Sequence, residues 1–176
     1  IDKVPFDNQA DKNRMKGEVY FLRGNLYHNL VAMYGGVPII TKAYGIADDV
    51  TTPRDSYENC IKFITSQLDS AAALLPLTQS GNNKGRATKG AALALKSRVL
   101  LYAASDLYNS NAAWGGGANK ELVGYVGGDR TARWQAAKNA AKAVIDLGVY
   151  SIYKAGTPAS AAEATKNYAD IFLSKE

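Results

Sequence analysis

The segment that most constrains the fold is GEVYFLRGNLYHNLVAMYGGVPII, which occupies residues 17–40. Its pattern predicts a helix over about 11–34 that stops at a double glycine and gives way to the extended segment VPII. Glycine inside a helix costs about 1 kcal/mol relative to alanine, and this helix contains both Gly17 and Gly24. Because the two glycines are seven residues apart, they lie on nearly the same face, where a neighbouring helix can approach closely.

A second helix is predicted over 55–75. Asp55 followed by Glu58 has the form of an N-cap with its capping-box partner, and Pro76 stops the helix. The apolar residues recur at helical spacing, which predicts one buried stripe. That stripe consists of Ile61, Ile64, Leu68, Ala72 and Leu75.

Two further helices are predicted at 88–107 and 131–147. The first starts at a Thr88 cap and is apolar on most sides, so we expect neighbours to cover it on several sides, partly from segments outside this chain. The second is expected to end just before Gly148 and to bury Trp134, Ala137, Ala141, Val144 and Ile145. Beyond it, the sequence indicates a short helix near 158–165, and 167–176 has the pattern of a run that leads into a strand.

These patterns indicate a mainly all-α fold: stacked antiparallel helical hairpins of degenerate tetratricopeptide type, in one helical-repeat domain over 1–176. A regular tetratricopeptide array repeats about every 34 residues, but long connections at 35–54 and 108–130 interrupt that period here. Connections longer than about 15 residues are uncommon in compact domains and are often functional. We therefore expect two antiparallel helix pairs that carry two long loops.

The residues needed for catalysis or for metal binding are isolated in this sequence. His28 is the sole histidine and Cys60 the sole cysteine, so neither a zinc site nor a nucleophile with its base can be assembled. We predict no enzymatic activity, no metal and no cofactor, with Cys60 as a small buried hydrophobe. The segment GRATKG at 85–90 lacks the glycine spacing of a phosphate loop. The net charge of +5 is spread singly along helices, which predicts a solvated surface and no nucleic-acid partner.

The loop at 114–129 is the strongest candidate for a binding region. Six glycines in this segment let the backbone adopt positive φ and approach a ligand closely. Trp114 and Tyr125, with Tyr108 and Asn109 at the root of the loop, are the predicted ligand-binding residues, because aromatic faces stack on sugars while polar groups bond the hydroxyls. The alternative is that Trp114 and Tyr125 fold back and pin the loop onto the helices. Trp134 is not a candidate, since its helical phase places it in the core.

The order of these motifs resembles that of the SusD/RagB family of outer-membrane nutrient-binding lipoproteins. The matching segments are 17–40, Pro53-Arg54 before a helix that ends AAALLP at 71–76, GRATKGAALALKSRVLLYAASDLYN at 85–109, RWQAA at 133–137 and LGVY at 147–150. The resemblance implies a non-catalytic protein that captures oligosaccharides, or peptides in the RagB branch. It also implies a position as a lid on a TonB-dependent, SusC-like transporter, at the extracellular face of the outer membrane of Bacteroidetes-type bacteria.

The resemblance further implies parts that this chain does not contain. Family members are usually much longer, with a lipidated N-terminus and a large irregular C-terminal half, and their ligand sites draw on those parts as well. We therefore expect 1–176 to be a truncated part of a larger protein, attached to the membrane only through a lipid anchor absent from this chain. The competing hypothesis is a helical-repeat module that binds a peptide in its groove. The glycine-aromatic loop and the GGVPII segment favour the nutrient-binding protein, because both are foreign to plain tetratricopeptide arrays.

Overall fold

A computed structural model describes residues 1, 4–109, 117–154 and 156–173 of the chain. The described residues form helices and contain no β-strand, which confirms the predicted all-α class. In chain order the helices are α1 (Gln9–Tyr34), α2 (Tyr57–Leu74), α3 (Lys89–Ala104), the single turn α4 (Asp106–Asn109), α5 (Arg130–Ile145) and α6 (Ala161–Leu173). Residues 1–144 and 145–176 form two separate compact units. None of the described helices is long and apolar enough to span a membrane.

The glycines of α1 permit the close helix contact that the sequence predicts. A Cβ added to Gly17 would lie 3.0 Å from Leu75 Cγ, and one added to Gly24 would lie 3.0 Å from Leu68 Cδ2. As the residue number rises along α1 it falls along α2, so the two helices pack antiparallel. Any larger residue at these positions would push α1 off α2, because packed interiors leave little free space.

The predicted buried stripe of α2 is confirmed at all five positions. The N-cap, however, is Ser56 rather than Asp55: the Ser56 Oγ accepts a hydrogen bond from the Asn59 N–H at 3.1 Å. Asp55 lies one residue before the cap, and its N–H donates to the Val37 carbonyl at 3.2 Å. Cys60 is fully buried in this helix, as predicted.

Helix α3 packs on α2, which therefore lies between α1 and α3. The Thr88 cap is confirmed, since its hydroxyl accepts from the Ala91 N–H at 3.2 Å. The helix ends at Ala104 rather than at 107, because Ser105 adopts an extended conformation. Leu101 and Tyr102 on its outer side are about half exposed (48% and 53%), so the described residues cover this apolar helix only in part.

The predicted buried face of α5 is confirmed at Ala137 and wrong at Trp134, Ala141 and Ile145. Ala137 and Ala140 are buried, whereas Trp134 is 42% exposed, and Ala141 and Ile145 are exposed as well. The helix is rotated by about one residue relative to the prediction, since 3.6 residues make one turn, and its small alanine side chains face inward. Gly148 has the positive φ (66°) expected just past the end of the helix.

The second unit, residues 145–176, contains α6. The helix predicted near 158–165 is present but extends to Leu173, so its predicted length is wrong. The predicted strand approach after 167 is also wrong. The Ser160 Oγ accepts from the Glu163 N–H at 3.2 Å, and the Glu163 carboxylate accepts from the Ala159 N–H at 2.6 Å. This pair of caps starts the helix, and the Lys166–Asp170 ion pair at 3.0 Å spans its next turns.

Candidate functional site

The double glycine after α1 joins three segments of the chain at very short range. Gly35 has a φ of +71°, and a Cβ on it would lie 2.2 Å from the Leu122 carbonyl oxygen; at Gly36 the corresponding distance to the Asp55 oxygen is 2.0 Å. The Gly36 N–H donates to the same Leu122 oxygen at 2.5 Å. Only glycine fits both positions, and this fit places the second half of the glycine-rich loop against the end of α1.

Arg54 fixes the same junction from the other side. Its Nε donates to the Gly36 carbonyl at 2.7 Å, and its Nη2 donates to the Tyr34 carbonyl at 2.6 Å. The guanidinium thereby satisfies carbonyls that the end of α1 leaves without helical partners. The Pro53-Arg54 and GGVPII motifs are thus parts of one structural device.

Three tyrosines form the root of the glycine-rich loop. Tyr57 at the start of α2 is 2% exposed; its ring stacks on Tyr108 with centroids 4.4 Å apart, and Tyr125 meets it edge-on at 5.5 Å. The Tyr125 N–H also donates to the Tyr108 carbonyl at 2.8 Å. The structure therefore brings together two of the predicted ligand-binding residues, Tyr108 and Tyr125, around a buried ring that the sequence analysis did not single out.

Arg133, in the first turn of α5, clamps this cluster. Its guanidinium carbon lies 3.8 Å from the centroid of the Tyr125 ring. Its Nη1 donates to Asn109 Oδ1 at 2.6 Å, and its Nη2 donates to the Gly127 carbonyl at 2.5 Å. One side chain thus ties the C-terminal part of the loop to Asn109 at its root. The sequence signal for Arg133 is its place in the RWQAA motif, which matches the family but does not by itself indicate a contact with the loop.

Asn109 acts here through bonds within the chain. Its Nδ2 donates to the carbonyls of Ala103 at 2.7 Å and Ser105 at 2.8 Å, while its Oδ1 accepts from Arg133. The amide therefore stabilises the end of α3 and links it to the start of α5. Trp114, the remaining predicted ligand-binding residue, lies outside the described residues.

The tyrosine cluster is uncharged at neutral pH. Burial raises the pKa of the Tyr57 hydroxyl well above its ordinary value, and the neighbouring phenols of Tyr108 and Tyr125 add to the shift. Burial likewise raises the pKa of Tyr108 and of Tyr125, where the charge of Arg133 opposes the rise. The phenols therefore offer apolar rings and neutral hydroxyl groups rather than an anionic surface.

Beside the cluster, a cleft of about 280 Å³ opens between α2, α3 and α5. Tyr125 and Arg133 form one side of it, and the Glu58–Lys62 ion pair, with a distance of 2.7 Å, stands on α2 at the other. The rest of the lining is mainly aliphatic and consists of Ile61, Thr65, Leu100, Ala103, Ala132 and Ala136. Such a cleft can hold an uncharged ring or chain against apolar walls, with hydrogen-bonding groups at its rim.

His28 and Cys60, the sole histidine and the sole cysteine of the sequence, both occupy structural positions. His28 is half-buried on α1, and burial together with the charge of Arg98 lowers its pKa. The buried Cys60 Sγ accepts from the Val37 N–H at 3.4 Å, and burial raises the pKa of its thiol. Within the described part of the chain, no group of three or more His, Cys, Asp or Glu residues is arranged to hold a metal ion.

The all-α scaffold and its aromatic, glycine-rich loop do not by themselves name a family, but comparison with known proteins does. Residues 2–101 match the model of the SusD-like family described as "starch-binding associating with outer membrane". Because this match covers more than half of the chain, the protein belongs to the SusD-like family. The resemblance inferred from the order of motifs is thereby confirmed.

Individual relatives agree with this assignment. The SusD-like protein P38 of Formosa agariphila is 31% identical over 103 residues, which are 58% of this chain and 20% of that protein. A SusD-like protein of Bacteroides fragilis NCTC 9343 is 32% identical, with a TM-score of 0.66 over 93% of this chain and 25% of its own. A structure described as a laminarin binding SusD-like protein is 30% identical, with a TM-score of 0.55 over 58% of this chain and 22% of its own. The chain therefore spans no more than about a quarter of these relatives.

Proposed function

We propose that this chain is part of a non-catalytic surface protein that captures oligosaccharides and delivers them to a TonB-dependent, SusC-like transporter at the extracellular face of the outer membrane. The observation that carries the proposal is the family match over residues 2–101, with its description as starch-binding and associated with the outer membrane. The laminarin-binding relative supports a glycan ligand in particular. Delivery to a transporter and the extracellular face follow from the family resemblance alone.

Within this chain, we propose that Trp114 and Tyr125 contribute aromatic contacts to the glycan. Tyr125 lines the cleft beside α2, and Arg133 holds its ring in place from one side. Tyr108 and Asn109 fix the backbone on which the loop stands. Stacking on neutral rings, together with hydrogen bonds to hydroxyl groups, suits an uncharged sugar.

The first test is isothermal titration calorimetry on the natural full-length protein. Laminari-oligosaccharides and malto-oligosaccharides are titrated in parallel with a panel of short peptides. The proposal requires that at least one of the oligosaccharides binds. Binding of peptides without binding of any oligosaccharide would instead support the peptide-binding module, which the ion pair at the rim of the cleft could serve.

The second test asks whether Trp114 contacts the ligand. Trp114→Ala should abolish or strongly weaken oligosaccharide binding and leave the melting temperature unchanged. Trp134→Ala is the matched control, because it removes a tryptophan that is 42% exposed on α5 and should leave binding unchanged. Unchanged binding with a lowered melting temperature in Trp114→Ala would assign Trp114 to pinning the loop.

A further inference from the structure

The cleft between α2, α3 and α5 has an aliphatic floor. Ile61 and Ala103 line the cleft although they are only 4% and 1% exposed, which places them at its bottom. Leu100 on α3 and Ala132 and Ala136 on α5 extend the same surface. We call these five side chains the cleft floor. An apolar group that rests on the cleft floor is stabilised because it leaves water.

The polar side chains next to the cleft floor are bonded within the chain. The Thr65 hydroxyl donates to its own helix, with the carbonyl oxygens of Ile61 and Lys62 at 2.9 Å and 3.0 Å. The Lys62 ammonium pairs with the Glu58 carboxylate at 2.7 Å, and 69% of the lysine side chain is exposed, so this ion pair lies at the rim. A ligand group that reached the cleft floor would therefore meet alkyl groups and a threonine hydroxyl that is already bonded.

Arg133, on the α5 side of the cleft, is also bonded within the chain. Its Nη1 donates to Asn109 Oδ1 and its Nη2 to the Gly127 carbonyl, while the guanidinium lies against the Tyr125 ring. These three contacts hold the guanidinium at the root of the loop. The cleft thus has an aromatic side at Tyr125 and an aliphatic floor, and a sugar ring beside Tyr125 can place one substituent on that floor.

This lining is unfavourable for a hydroxyl group and favourable for a methyl group. A hydroxyl on the cleft floor would exchange its hydrogen bonds with water for contacts with alkyl groups. A methyl group gives up no hydrogen bond there and removes apolar surface from water. The volume of about 280 Å³ leaves room for a small substituent together with the edge of a ring. The cleft floor therefore distinguishes sugars by the group in which their substituents end.

Resting on the glycan-binding function proposed above, we propose that the cleft selects sugar residues that carry a methyl-terminated substituent. Two groups have this chemistry: an O-acetyl ester and the methyl group of a 6-deoxy sugar. Either would lie on the cleft floor while the ring lies beside Tyr125 and the remaining hydroxyls face the rim at Glu58 and Lys62. One methyl or methylene group in a hydrophobic pocket changes affinity by about 10- to 200-fold, so substituted glycans should bind at least about tenfold more tightly than unsubstituted ones.

The test compares ligands that share a sugar backbone and differ only in the substituent. Laminari- and malto-oligosaccharides, with and without partial O-acetylation, are titrated into the natural full-length protein by calorimetry. In a second arm, methyl 6-deoxy-β-glucoside and methyl β-glucoside compete with the oligosaccharide that binds most tightly. At least one arm should show a preference of about tenfold or more for the substituted ligand, and the arm that shows it identifies the substituent.

A variant that fills the cleft locates the preference. Ala136→Leu places a larger side chain in the cleft and should abolish the preference for the substituted ligand. Ala141→Leu is the matched control, because Ala141 is exposed on the same helix and does not line the cleft; this variant should keep the preference. Circular dichroism melting shows whether both variants fold. Saturation-transfer NMR on the wild type gives an independent measurement, in which the methyl protons of the substituent should receive the strongest saturation.

The outcomes separate this inference from the proposed function. Equal or weaker binding of the substituted ligand in both arms overturns the inference and leaves glycan binding intact. A preference that persists in a folded Ala136→Leu variant, or a substituent methyl that is saturated less than the ring protons, also overturns it. If no oligosaccharide binds with or without acetylation, the glycan-binding function itself fails, and this inference fails with it.

Discussion

Replacing Gly36 with alanine is expected to lower the free energy of unfolding by about 3–5 kcal/mol. The added Cβ would lie 2.0 Å from the Asp55 carbonyl oxygen, whereas carbon and oxygen normally approach only to about 3.3 Å. Opening that gap is an overpacking effect, which costs about 1–3 kcal/mol. The shift also strains the bond from the Asp55 N–H to the Val37 carbonyl and the bond from Arg54 to the Gly36 carbonyl. Hydrogen bonds of these kinds contribute about 0.5–3 kcal/mol each.

The assay is urea denaturation followed by circular dichroism at a helical wavelength. Gly45→Ala is the matched control, because Gly45 lies in the same connection and the nearest atom to its added Cβ is at 3.8 Å. That variant should stay within about 1 kcal/mol of wild type, since removing a glycine also restricts the unfolded chain. If Gly36→Ala is as stable as Gly45→Ala, the double glycine does not hold the junction, and the argument for the placement of the loop fails with it.

Three further predictions concern the loop root, a helix cap and pH. Arg133→Leu removes the hydrogen bonds to Asn109 and Gly127, so amide hydrogen exchange of residues 117–128 should accelerate while helicity is retained. Arg133→Lys should not restore the protection, because lysine lacks the planar guanidinium group that donates in two directions. Thr88→Ala should cost about 1 kcal/mol through loss of the N-cap and Thr88→Ser almost nothing; equal stability of the two would contradict the cap. Burial raises the pKa of Tyr57 from its ordinary 10.0, so above that pH the folded protein retains a proton that the unfolded chain loses, and stability falls as pH rises. Denaturation should be measured at pH 8 and above pH 10. The free energy of unfolding should fall less between these pH values in Tyr57→Phe than in wild type, and an equal fall would refute the role of this phenol.

The parts of the fold that local patterns determine could be predicted from the sequence. The buried stripe of α2, the Thr88 cap and the paired glycines of α1 each depend on residues a few positions apart. The Ser56 cap differs by one residue from the predicted Asp55 cap, because Asp and Ser are about equally good N-caps and the local pattern does not choose between them. Helix α6 continues to Leu173, beyond the predicted end at 165; the Ser160 and Glu163 caps set where it starts and not where it ends.

The rotation of α5 required information that its own sequence does not contain. Its apolar residues allow two faces to be buried, and the face that contains Trp134 is the more hydrophobic of the two. Arg133 decides between them, because its bonds to Asn109 and Gly127 and its contact with Tyr125 turn that side of the helix inward. These partners lie outside α5, in α4 and in the loop at 125–127, so no periodicity within α5 could reveal them.

At the candidate site, too, local features could be predicted from the sequence and long-range contacts could not. The glycine-rich loop and its aromatic residues were visible in the sequence, and so was the alternative that Tyr125 pins the loop. The structure shows Tyr125 packed on Tyr57 and under Arg133, a contact between residues far apart in the chain. Whether Tyr125 also touches a ligand stays a prediction.

The most direct test of the central claim is to titrate the natural full-length protein with laminari- and malto-oligosaccharides at about 50 mM and about 200 mM salt, the range over which charge-driven binding weakens steeply. We predict that at least one of these oligosaccharides binds and that its affinity changes by less than about twofold between the two conditions, because contacts to neutral rings and hydroxyl groups release no counterions. If neither oligosaccharide binds, or if the affinity falls steeply at the higher salt concentration, the result contradicts a glycan-capturing function.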